Sequence, residues 1–178
     1  MKTLALSSRS LNHKMRSVLL ATVFTCCALT TFSQETEYDK IAVKTPEECK
    51  LAEPKVLEAA NLTLDKPLRV KDNAILKARS LVVAWMSNTS DYTFSINEKI
   101  LKLTKSNELL FGLYMACMAK YALEHPDKAK NETQLQMGSY TILADYIEKK
   151  ENGVEITKPI EKFLAARKAG KLEEYIGK

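Results

Sequence analysis

The chain has 178 residues, 46% of them hydrophobic, which suits one globular core, and it carries 27 basic against 22 acidic residues. Residues 1–33 hold four of the basic residues (Lys2, Arg9, Lys14 and Arg16) and no acidic one, so the rest of the chain stands at 23 against 22, a net charge of +1. The basic pI therefore gives no electrostatic footprint for nucleic acid, and no basic stripe with interleaved aromatics is found in the linear sequence.

The N-terminus reads as an export signal. After the positively charged start, Val18 to Phe32 run without a charge, shorter than the roughly 20 residues a helix needs to cross a bilayer. Thr31 and Ser33 are small enough for a cleavage site before Gln34. The expected organisation is a signal peptide over 1–33, a flexible polar lead over 34–44 and a helical domain over 45–178.

Thr45-Pro46-Glu47-Glu48 predicts a helix start, with a capping threonine, a proline in the first turn and a glutamate three residues on. Pro54 then predicts a kink or break, with Val56 to Asn61 completing the segment and a turn at Asp65-Lys66-Pro67. Asp72 caps a second helix whose apolar residues Ile75, Leu76, Leu81, Val82 and Trp85 fit a period near 3.6. Ser87 to Asp91 is a turn by composition, and Ser95 opens a short helix with Ile96, Ile100, Leu101 and Leu103. From Leu109 to Leu123 only Gly112 and Lys120 interrupt an apolar run, which marks a helix buried on most sides. Glu124-His125-Pro126-Asp127 ends it. A further long helix fits Glu132 to Lys150, stopped at Asn152-Gly153, and Thr157-Lys158-Pro159 opens a last one that Gly170 ends before a short segment at Leu172 to Ile176. Val154-Glu155-Ile156 alternates but is too short to found a sheet.

The expected fold class is all-α, a single-domain bundle of five to six helices. Lys120-Tyr121-Ala122-Leu123-Glu124-His125-Pro126 resembles the end of a tetratricopeptide repeat, which implies a helical-hairpin, repeat-like arrangement. The Trp-x-x-Leu-Gly-x-x-Tyr half is absent upstream, where Gly112 precedes Leu113-Tyr114 at the wrong offset, so an orthogonal bundle stays equally open.

Trp85 to Phe94 places three aromatics and an aspartate within one helix end and loop. Trp85, Tyr92 and Phe94 can stack on a sugar or peptide while Asp91 accepts hydrogen bonds, or the rings can pin the loop to the core. Beyond the signal the cysteines are Cys49 and Cys117, a candidate disulfide whose long loop is worth roughly 4 kcal/mol on closure. His125 is the histidine left there, too few for a Cys/His zinc site, and eight residues along a helix keep it roughly 12 Å from Cys117, too far for a nucleophile and its base. No metal and no cofactor is expected. Glu47, Glu48, Glu53 and Glu58 are the carboxylates for any hydrolase chemistry, but nothing marks a pair and they read more easily as the solvated face and N-terminal charge of a helix. The functional expectation is an exported, periplasmic or secreted, non-enzymatic module that binds a protein or an envelope component and no nucleic acid. The alternative is a small-ligand binder or a carboxylate-based hydrolase built on the Trp85 to Phe94 segment.

Overall fold

The computed structural model describes residues 38–105 and 107–177, and the expected signal over 1–33 lies outside them. Among the described residues there are eight α-helices and no strand: α1 (Pro46–Leu64), α2 (Asn73–Asn88), α3 (Glu98–Thr104), α4 (Glu108–Glu124), α5 (Pro126–Ala129), α6 (Glu132–Glu148), α7 (Lys158–Lys168) and α8 (Leu172–Gly177). Two 3-10 turns, Tyr38–Lys40 and Lys150–Asn152, complete them. The all-α expectation holds, and the two helices beyond the expected number are α5 and α8, of four and six residues. Both are too short to carry an apolar period, so they read as a helix stop and a tail.

Side-chain caps set the helix starts. The Thr45 hydroxyl accepts from the Glu48 N–H at 3.2 Å, and the Glu48 carboxylate accepts from the backbone N–H groups of Lys44 (2.7 Å) and Thr45 (3.3 Å), a reciprocal box that satisfies donors the helix leaves open. Asp72, Asn97, Asn107 and Asn131 cap α2, α3, α4 and α6. Asn97 takes the place expected of Ser95 because its side chain does more. Its Oδ1 also accepts from the Tyr140 hydroxyl at 2.8 Å, and its Nδ2 donates to Gln136 at 3.1 Å, tying α3 to α6.

The expected break at Pro54 does not occur, for α1 continues through it to Leu64. Proline removes one helical hydrogen bond, and the carbonyl it leaves open is that of Lys50. Both residues are exposed, so water can meet that carbonyl and the helix need not part. A second correction concerns the lead. Residues 38–44, expected to be flexible, are packed: Tyr38 and Val43 are buried, the Tyr38 hydroxyl donates to Glu58 at 3.3 Å, and Asp39 pairs with Lys77 of α2 at 2.5 Å. Three apolar residues in a polar stretch, Tyr38, Ile41 and Val43, are enough to join the core without showing a period.

α4 lies at the centre, packed against α1, α2, α3 and α6. Leu110, Leu113, Tyr114, Ala116, Cys117, Met118 and Ala119 are all buried on it. α1 buries mostly small side chains, Ala52, Ala59 and Ala60 beside Val56. A relay of rings crosses the other half: Tyr114 to Tyr140 at 5.2 Å, Tyr140 to Phe163 at 5.7 Å and Phe163 to Tyr175 at 5.9 Å, joining α4, α6, α7 and α8. No helix among the described residues is long and apolar enough to cross a membrane.

One ring in that relay carries an unmet polar group. The Tyr114 hydroxyl is buried without a hydrogen-bond partner, and burying such a group costs about 1–3 kcal/mol. Tyr114→Phe removes the hydroxyl and keeps the ring, so urea denaturation should find the variant as stable as the parent or more so. A loss above about 1 kcal/mol would mean that the hydroxyl has a partner after all.

Candidate binding cleft

Trp85 is 0% exposed and its indole N–H donates to the Cys49 carbonyl at 3.1 Å. Its ring lies 5.8 Å from both Tyr92 and Phe94, which are themselves 6.2 Å apart and half-buried against the core. The three rings thus pin the loop that follows α2, and Trp85 offers no face to a ligand. Asp91 is exposed and pairs at 3.3 Å with Lys50, which also holds Glu53 at 3.1 Å. The structure brings the four predicted site residues together at the end of α2 and in the loop after it, with Trp85 buried, Tyr92 and Phe94 half-buried and Asp91 exposed.

Cys49 and Cys117 are free buried thiols, so the candidate disulfide is not formed. Each serves its own helix. The Cys49 thiol donates to the Val43 carbonyl at 3.5 Å, helping to fasten the N-terminal segment, while Cys117 sits among the core side chains of α4. Burial raises the pKa of both thiols, which keeps them protonated and unreactive. His125 is exposed, and its ring lies 4.7 Å from that of Tyr121, tilted by 53°.

A recess with room for a ligand lies elsewhere, where the segment before α2 meets the start of α4. Its volume is about 780 Å³ and it is lined by Arg69, Val70, Lys71, Asp72, Asn73, Leu76, Arg79, Asn107, Glu108 and Leu109. The 66–71 segment is held by bonds to the end of α6: the Tyr146 hydroxyl donates to the Lys66 carbonyl at 2.7 Å, and the Leu68 N–H donates to the Asn152 carbonyl at 3.0 Å. Asn152 is in turn fixed by its own Nδ2, which donates to the Tyr146 carbonyl at 2.8 Å. With Leu68 fully buried as an anchor, Arg69, Val70 and Lys71 are set along one rim.

Two features distinguish the cleft. Leu76 and Leu109 are 55% and 40% exposed, and with Val70 they make most of its wall apolar. Arg69, Lys71 and Arg79 have no ion pair among the described residues. The Arg79 Nε is buried with no hydrogen-bond partner, and burial lowers the guanidinium's pKa. Of the two carboxylates, Asp72 accepts from the Ala74 N–H at 2.8 Å as a helix cap, and Glu108 stands at the mouth in the first turn of α4. An apolar wall with three cations and few carboxylates can hold an apolar chain and pair with an anionic end.

Sequence reasoning missed this site because its two halves are some thirty residues apart. One signal was present: Ile75 and Leu76 are adjacent and so point roughly 100° apart around the helix axis. The buried stripe runs through Ile75, Ala78, Leu81, Val82 and Trp85, which puts Leu76 outside it. No family model, no curated protein sequence and no solved structure matches the chain.

Proposed function

We propose that this chain is an exported, non-enzymatic binding module of the cell envelope, and that the α2–α4 cleft takes a small amphiphile with an apolar chain and a carboxylate end. The observation that carries the reading is the pairing of exposed Leu76 and Leu109 with the half-buried cation Arg79, which has no ion pair among the described residues, in one recess. Its volume lies within the range of about 300–1,000 Å³ common to small-molecule sites. Export rests on the charge and hydropathy pattern of residues 1–33.

The hydrolase alternative draws no support from its own residues. Glu48 is engaged in the α1 cap, Glu53 pairs with Lys50, and Glu58 takes Lys55 at 2.9 Å as well as the Tyr38 hydroxyl.

Calorimetric titration with dodecanoate tests the reading, with dodecyltrimethylammonium as the same tail under the opposite charge. Dodecanoate should bind at one site and the cation should not. Leu76→Asp and Arg79→Gln should each weaken dodecanoate by about tenfold or more. Equal uptake of both amphiphiles, or none of either, would overturn the assignment. N-terminal sequencing of the protein from its host should begin at Gln34, and a chain beginning at Met1 would remove export from the account.

A further inference from the structure

The fold gathers five lysines that the sequence scatters. Lys99 and Lys102 lie on α3, Lys158 and Lys162 on α7, and Lys171 in the turn before α8, whose Tyr175 stands among them. They line two recesses of about 300 and 270 Å³ that share Lys99 and Tyr175. The larger holds Lys99, Lys102, Lys158 and Lys162; the smaller adds Lys171 and Glu174 to Lys99. The Lys99 ammonium lies 5.4 Å from the centre of the Tyr175 ring.

This arrangement works against itself. Lys99 and Lys102 are three residues apart on one helix and Lys158 and Lys162 four apart on another, spacings at which like charges repel. Lys158 also opens α7, at the positive end of the helix dipole, where Thr157 makes no side-chain cap bond. Glu98 pairs with Lys102 at 3.0 Å, which leaves the four-lysine recess with a clear excess of positive charge. A dianion placed there relieves both repelling pairs and the uncapped helix start together.

The two recesses differ in chemistry. Apart from the shared Lys99 and Tyr175, one contributes only ammonium donors and the other a donor and an acceptor, Lys171 and Glu174. We propose that this surface is a binding site for a phosphorylated sugar, with the phosphate among Lys99, Lys102, Lys158 and Lys162, the ring on Tyr175 and hydroxyls read by Lys171 and Glu174. Such a group occurs free and on the headgroups of glycolipids, and both present the same chemistry to the site. The proposal stands apart from the α2–α4 cleft and does not depend on it.

Titration of the full chain with glucose 6-phosphate, inorganic phosphate and glucose tests it, beside co-sedimentation with phosphatidylcholine vesicles with and without monophosphoryl lipid A. Glucose 6-phosphate should bind more tightly than inorganic phosphate, and glucose should not bind. The double variant Lys158→Gln/Lys162→Gln, both sites exposed, should lose about tenfold or more with an unchanged circular dichroism spectrum. Tyr175→Leu should weaken glucose 6-phosphate and leave inorganic phosphate unchanged. Vesicle binding that depends on lipid A and on the two lysines assigns the headgroup as the source, and binding of the free sugar phosphate alone assigns the soluble one. Equal binding of phosphate and sugar phosphate, an unaffected double variant, a single-stranded oligonucleotide that outcompetes the sugar phosphate, or no binding by either probe would each overturn the proposal.

Discussion

Trp85→Ala should destabilise the protein by about 3–5 kcal/mol, the range for emptying a buried aromatic site. Three losses combine there. The indole is fully buried between α1 and α2, its N–H bond to the Cys49 carbonyl disappears, and Tyr92 and Phe94 lose the ring against which they hold the 89–97 loop. For a domain of this size the melting temperature should fall by roughly 10 °C or more. Trp85→Phe separates the contributions, since it keeps a ring and leaves the Cys49 carbonyl without its donor, and it should cost about 1–3 kcal/mol. A loss below about 1 kcal/mol for the alanine variant would mean that the ring is not part of the core, and would return Trp85 to the ligand-binding surface.

Alkaline titration should produce the second large effect. Burial raises the pKa values of Tyr114, Tyr140 and Tyr146, the last to about 12, against about 10 for a tyrosine in an unfolded chain. The folded protein thus keeps phenolic protons that the unfolded chain releases. Stability from these groups is fully present below pH ~10 and is lost as pH rises through about 12, because the folded state binds more protons over that interval. Tyrosinate absorbance from these residues and the fluorescence of the single tryptophan should change together, as one cooperative unfolding. Early ionisation of the buried tyrosines with the tryptophan signal intact would contradict their burial.

Local chemistry was readable in the sequence wherever one short segment carries all of it. The Thr45-Pro46-Glu47-Glu48 box, the Asp72 cap and the near-continuous apolar run of α4 each specify structure through neighbours within a few residues, and each is found as expected. Choices that depend on distant partners were not readable. Asn97 rather than Ser95 caps α3 because Tyr140, far along the chain, bonds to the same side chain. Pro54 fails to part α1 because the surrounding surface is open to water. The aromatic density of Trp85 to Phe94 marks a loop fastened to the core, a use that composition alone could not separate from a ligand platform. Both sites argued from the fold, the α2–α4 cleft and the lysine surface, are assembled from segments whose residues look unremarkable in line.

The most direct test of the central claim is a nitrogen-15 correlation spectrum of the protein recorded with increasing dodecanoate. Saturable shifts confined to Arg69–Asn73, Leu76, Arg79 and Asn107–Leu109 are the predicted result, lost in Leu76→Asp. Shifts centred on Tyr92 and Phe94, or spread over the whole surface without saturation, would contradict the cleft as the binding site.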